Sequence, residues 1–278
     1  MRLSIRDRAF GHSPVSNGPV PPVVAGSDFI EWDRESPATL DTIYTDAEIF
    51  TAPPGVRVWL IEPIHGRADA FEFLLRRAPE FRVVWTHDRE LLSLIPNGRF
   101  VPFGGCWIAP EDRKIWPKSK GISTIASNKR GSEAYEMRHE AVRRFPQMDA
   151  YGINYTSLAH KIDGLRDYRF QLVIENVRCD WWFTEKLLDC FMTGTVPIYW
   201  GCPGIGRFFN LGGMLMVGPG KPFQDILNWV IMIHDKGEWH YNDMRREILD
   251  NFERAKAYCL TEDYIARNLL TPVAESPI

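Results

Sequence analysis

The chain has 278 residues, enough for one large domain or two compact ones. Its 45% hydrophobic and 25% charged residues give the balance of a globular protein and exclude a disordered, collagenous or coiled-coil chain. Thirty-three Lys and Arg against 36 Asp and Glu leave a net charge of −3. That is too small a cationic excess for a general nucleic-acid binder, although a local site for one or two phosphates stays open.

From the amino end, MRLSIRDRAFGH carries charges throughout and has no apolar core of a signal peptide. Residues 11–26 are rich in Pro, Gly and Ser and read as an extended arm or loop. The five cysteines, Cys106, Cys179, Cys190, Cys202 and Cys259, are odd in number and form no CxxC pair. This argues against a disulfide framework and a structural zinc site, and for reduced thiols and a cytoplasmic location. The apolar run from Ile226 to Ile233 is too short to span a bilayer.

Strand and helix patterns then alternate. Val56 to Ile61 predicts a strand and Ala68 to Arg77 a helix. Arg82 to Thr86 predicts a strand and Arg89 to Leu94 a short helix. A run of Pro and Gly from Pro96 to Pro117 marks the interdomain linker. Beyond it, Gly121 to Ala126 predicts a strand, Glu133 to Phe145 an amphipathic helix, and Phe170 to Ile174 a strand. Thr184 is placed to cap a helix over Glu185 to Thr193, with Gly194 as its C′ glycine. Val196 to Trp200 predicts a strand, and Phe223 to His234 and Glu238 to Leu260 helices. Strands separated by helices of this length imply βαβ units and parallel sheets. The predicted architecture is two α/β domains joined near residues 106–118, an N-terminal one over 1–112 and a C-terminal one over 118–278. The last helix is expected to pack back on the first domain.

The densest polar constellation is Glu175-Asn176 after one strand and Thr184-Glu185-Lys186 opening the next helix. Ligands of open α/β sheets bind at carboxyl strand ends and helix N-termini. A lysine in the first helical turn opposes the helix dipole. Lys186 therefore either points to solvent or meets an anion. Trp181-Trp182-Phe183 before the cap is either core or one wall of a base or sugar pocket. Ser127-Asn128-Lys129-Arg130, with Arg138 on the following helix, is a second strand-end cluster. Glu62-Pro63-Ile64-His65 is a third, where a carboxylate and an imidazole after a strand either supply a general base or have no role in chemistry. There is no P-loop, HExxH or GxSxG, and no strict Asp-x-Asp pair.

The stretch from Tyr168 to Asn210 resembles the donor-binding signature of glycosyltransferase family 10, the α1,3-fucosyltransferases. Glu175, Asn176, Thr184, Glu185, Lys186, Val196, Pro197, Tyr199 and Gly201 fit its pattern in order and spacing. Upstream, Ser127-Asn128 with Arg138, Val58 to His65, and Phe81 to Asp88 are similar to further family elements. The resemblance implies a GT-B-like α/β fold of two Rossmann-like domains facing across a cleft. It also implies inverting transfer of L-fucose from GDP-fucose to a hydroxyl of a glycan acceptor, with no metal and no cofactor beyond the sugar-nucleotide substrate. Carried over, Glu62 resembles the catalytic base, and Arg138 and Lys186 the cations on the diphosphate. Glu185 looks like the ribose partner, Asn176 is similar to a residue near the transferred sugar, and Asn128 and Trp182 fall among the donor contacts. Trp182 stands where many members have Tyr, and Pro63-Ile64 replaces the usual Ser-Pro after the base. The alternatives are the same fold with another nucleotide sugar, or a non-catalytic sugar or nucleotide binder. No nucleic acid and no transmembrane segment are expected, and peripheral contact with a membrane surface is left open.

Overall fold

The computed structural model describes residues 1–7 and 27–270. The Pro-, Gly- and Ser-rich stretch read as a loop lies outside the described residues. Two units emerge. One contains residues up to Gly105 together with those from Ala257 onward, and the other contains Cys106–Lys256. Residues 106–118, expected as a linker, therefore group with the second unit.

In the first unit, β1 (Arg2–Arg6), β2 (Glu31–Asp33) and β3 (Ile43–Thr45) precede β4 (Arg57–Leu60), α1 (Ile64–Arg77), β5 (Val83–Thr86), α2 (Arg89–Leu94) and β6 (Gly98–Phe100). The strands form one sheet in the order β2-β1-β3-β4-β5-β6, with every pairing parallel. The alternation along β4 explains how both faces are covered. Val58 and Leu60 pack with Phe71 and Leu74 of α1. Trp59 and Ile61 point the other way and pack with Trp32, Trp85 and Ile265. The Trp59 and Trp85 rings meet edge-to-face at 6.3 Å. A parallel sheet needs cover on both faces, and the second cover comes from the far end of the chain.

β5 leads directly into His87, whose imidazole is 1% exposed. Its Nε2 lies 3.1 Å from the Ile61 carbonyl. A carbonyl only accepts, so Nε2 carries a proton. Burial pushes its pKa down from 6.5 to about 4. Because the folded value lies below the unfolded one, the stabilisation is complete above pH 6.5 and is lost as pH falls toward 4. The expected loss is about 3 kcal/mol. Urea unfolding at pH 7 and pH 4 should show this loss in the parent and remove most of it in His87→Phe. Equal slopes in both proteins would exclude His87 as its source.

The second unit carries β7 (Lys120–Ile125), α3 (Glu133–Arg144), β8 (Asp149–Tyr151), β9 (Tyr168–Ile174), α4 (Glu185–Thr193), β10 (Val196–Trp200), β11 (Leu215–Met216), α5 (Pro222–Asp243) and α6 (Arg245–Ala255). Its sheet runs β11-β10-β9-β7-β8, again parallel throughout. Phe170, Leu172 and Ile174 of β9 and Ile198 and Trp200 of β10 pack with Met137 and Ala141 of α3 and Ile226 and Val230 of α5. Gly194 closes α4 at φ +70°, the left-handed conformation expected of its C-cap. The break expected between His234 and Glu238 is present: Lys236, at φ −141°, is non-helical and divides α5 into two helical segments. The expected second helix is itself divided at Met244, which separates α5 from α6. The chain then returns to the first unit with α7 (Thr261–Ile265). There the Trp32 indole donates to buried Glu262 at 3.0 Å.

Candidate functional site

β7 and β9 are adjacent and parallel, so the residues that follow their carboxyl ends emerge at one edge of the second unit. A cavity of about 420 Å³ opens there, lined by Ser127 and Lys129 after β7, Arg138 of α3, Asn176 after β9, and Glu185 and Lys186 of α4. A larger groove of about 1100 Å³ lies at the opposite, amino-terminal strand ends, beside Gly121, Asp149 and Arg169. The chemistry gathers at the smaller cavity, in keeping with the rule for open α/β sheets.

Arg138 is 6% exposed. Its Nε donates to the Ile174 carbonyl at 2.9 Å and its Nη2 to Asn176 Oδ1 at 2.8 Å. Burial draws its pKa below the ordinary value, but a guanidinium keeps its proton across the working pH range. Both acceptors are neutral, and the carboxylates that offset the Arg138 charge, Glu175 and Glu185, act on it through space.

Glu175 is fully buried and accepts from the Thr184 amide at 3.0 Å and the Thr184 hydroxyl at 2.8 Å. Thr184 Oγ1 in turn accepts from the Lys186 amide at 3.3 Å. Two of the N–H groups at the start of α4, those of Thr184 and Lys186, therefore already have acceptors. The Lys186 ammonium lies 3.1 Å from Glu185 Oε1 and 3.6 Å from Glu175 Oε2. Gly201 closes the back of the site. A Cβ there would stand 2.5 Å from Tyr199 Oη and 2.6 Å from Glu175 Cγ, so only glycine fits.

One residue of the site escaped the sequence reading. Lys161, in the β8–β9 connection, lines the cavity, pairs with Asp189 Oδ2 at 2.6 Å and lies 4.0 Å from Glu185 Oε1. Its ammonium sits 4.5 Å from the Trp107 ring centroid, within the range of a cation–π contact. Burial works against that charge, but Asp189 and Glu185 outweigh it and hold Lys161 above its ordinary value. Burial likewise opposes ionisation of Glu185, yet Lys186 and Lys161 hold its carboxyl down at about 2. The legible signal was Glu185 and Asp189 four apart on one helix. Two carboxylates on one buried face require a cation.

The expected donor contacts thus divide. Arg138, Asn176, Glu185 and Lys186 come together around one cavity. Asn128 is exposed, and its neighbours Ser127 and Lys129 line the cavity in its place. Trp182 is 3% exposed and is not among the lining residues, so the aromatic run serves packing at that position. Glu62 belongs to the other unit, where it follows β4 and is half-buried. Among the described residues no group of three or more His, Cys, Asp or Glu is arranged to hold a metal ion. No described helix is long and apolar enough to cross a membrane.

Residues 115–207 match the family model described as "Glycosyltransferase family 10 (fucosyltransferase) C-term". The second unit therefore contains a region similar to that of the family-10 glycosyltransferases. That region holds every donor-side residue named above. The α-(1,3)-fucosyltransferase FucT of Helicobacter pylori is 25% identical over 146 residues, 51% of this chain and 30% of that protein. The GDP-fucose protein O-fucosyltransferase 3 of Danio rerio is 33% identical over 78 residues, 28% of this chain and 17% of that one. The matches therefore span less than a third of either relative's own length. A crystal structure of an α1,3-fucosyltransferase with GDP aligns with a TM-score of 0.56 and 16% identity, covering 96% of this chain and 91% of that one. A further α1,3-fucosyltransferase structure aligns at 0.57, also with 16% identity, covering 96% and 90%. The fold is the GT-B-like α/β fold implied by the family-10 signature.

Proposed function

We propose that the chain is an inverting glycosyltransferase that moves L-fucose from GDP-fucose to a hydroxyl of a glycan acceptor. The observation that supports this most directly is the cavity that gathers Arg138, Asn176, Glu185 and Lys186 from three elements. Arg138 and Lys186 meet the diphosphate and offset the negative charge that grows as GDP leaves. Glu185, ionised across the working pH range, accepts from the ribose hydroxyls. Asn176, oriented by its bond from Arg138, faces the sugar. Glu62 removes the proton of the attacking hydroxyl.

Isothermal titration with GDP, UDP, CDP and ADP tests the donor. GDP is expected to bind tightest, and a strong preference for another nucleotide would overturn the fucose assignment. Lys186→Ala should weaken GDP binding by roughly tenfold or more, about 1.4 kcal/mol, and lower turnover with it. Unchanged affinity would remove Lys186 from the diphosphate. A glycan array probed with GDP-fucose then identifies the acceptor.

A further inference from the structure

Glu62 takes its position from the peptide that joins it to Ile61 at the end of β4, and that peptide is held from two sides. Asp46 directly follows β3 and is 2% exposed. Its Oδ1 accepts from the Ile61 amide at 2.9 Å and from the Glu62 amide at 3.2 Å. On the carbonyl side, His87 Nε2 donates to the Ile61 oxygen. Asp46 makes these bonds from a φ of +41°, the left-handed region that side chains other than glycine seldom enter. Its second oxygen, Oδ2, is buried and has no hydrogen-bond partner. Strain and an unsatisfied buried oxygen both oppose folding, and such features persist where the surroundings over-determine them. Only one oxygen is needed to bind the two amides, so the arrangement fixes backbone direction at the cost of local stability. Beyond Glu62, Pro63 has φ −68°, and the amides of Gly66 and Arg67 bond to its carbonyl at 2.8 and 3.1 Å. A Cβ on Gly66 would stand 4.0 Å from Glu62 Oε2, so the carboxylate lies over the first turn of α1.

We propose that Asp46 and His87 are positioning residues for the general base, acting through the Ile61–Glu62 peptide to aim the Glu62 carboxylate. The proposal rests on the reading of Glu62 as the base. Neither residue touches substrate. Asp46 sets the amide side of the peptide and His87 the carbonyl side, so the Glu62 backbone cannot rotate without breaking one of them.

The test follows GDP release from GDP-fucose in steady state, with GDP affinity measured by titration for each variant. Asp46→Ala is expected to lower kcat by about tenfold to a hundredfold, the scale of a small misplacement of a reacting group, with KM for GDP-fucose and GDP affinity unchanged. Asp46→Asn keeps an oxygen that accepts both amides and should recover kcat to within a few-fold of the parent. Adding Asp46→Ala to Glu62→Gln should cause no further loss, because the first residue acts only through the second. His87→Leu carries the same expectation, so the test survives if Asp46→Ala does not fold. Parent-like kcat in Asp46→Ala or His87→Leu, failure of Asn to rescue, or an additive loss in the double variant would overturn the positioning role. Full activity of Glu62→Gln would instead overturn the base assignment, and the positioning role with it. If Glu62→Gln is inactive while Asp46→Ala is active, only the positioning role falls.

Discussion

Glu62→Gln is expected to retain GDP binding while transfer falls by roughly 10²–10⁴-fold, the usual weight of a general base. The substitution conserves shape and leaves the backbone amide that bonds Asp46 Oδ1. An amide, however, cannot accept the proton of the attacking hydroxyl. The affinity should hold because the cavity residues proposed to hold GDP all belong to the other unit. The comparison is GDP-fucose turnover against GDP titration on the same preparations. A variant with parent-like turnover would place the base elsewhere, and one that loses both activities would show that Glu62 also takes part in donor binding.

Lys161→Met is the second large effect. The side chain has similar length but no charge, so Asp189, with its side chain 1% exposed, loses its 2.6 Å partner. Glu185 loses one of the two cations that hold its carboxyl at about 2. Removing one member of a buried pair leaves an uncompensated charge and costs about 3–5 kcal/mol. The sign with pH is fixed. In the parent, the depressed Glu185 pKa stabilises the fold above the ordinary carboxyl range, and this is lost as pH falls toward 2. In Lys161→Met the carboxyls take up protons more readily, so the gap between variant and parent should narrow between pH 7 and pH 4. Urea unfolding at both pH values measures this. Adding Asp189→Asn, which keeps an oxygen for the Trp107 amide now bound at 2.6 Å, should recover much of the loss. A Lys161→Met variant as stable as the parent at pH 7 would show that the pair contributes little.

The elements around the cavity of the second unit were the most legible in the sequence, and the reason is local. α4 has a capping threonine, a left-handed glycine at its end and a strand of its own sheet on either side, and its bounds agree with the pattern from Glu185 to Thr193. β10 is an uninterrupted apolar run between glycines. β2 and β3 have three residues each, too short for any alternation to stand out. The kink at Lys236 was legible because Lys236 and Gly237 interrupt the helical pattern, whereas the division at Met244 was not, because no Gly or Pro marks it. Within the site, Arg138, Asn176, Glu185 and Lys186 were visible because they stand at strand ends or on the helices that follow. Lys161 was not, because it reaches the cavity from an irregular connection and its partner lies 28 positions away. Trp182 misled because nearness to α4 in sequence does not set direction. Trp181 just before it takes φ +61°, and the turn leaves Trp182 facing inward.

The return of the chain to the first unit has a consequence for synthesis. Residues 106–256 are contiguous, so the second unit has all its parts as soon as they leave the ribosome. The first unit has Trp59, Ile61 and Trp85 in one apolar cluster with Ile265, and that cover is translated only after residues 106–256. An N-terminal sheet made early must therefore wait, with one apolar face unpaired, through the production of about 150 further residues. The nascent chain is thus most exposed to aggregation and chaperone capture at this face until the covering residues around Ile265 have emerged.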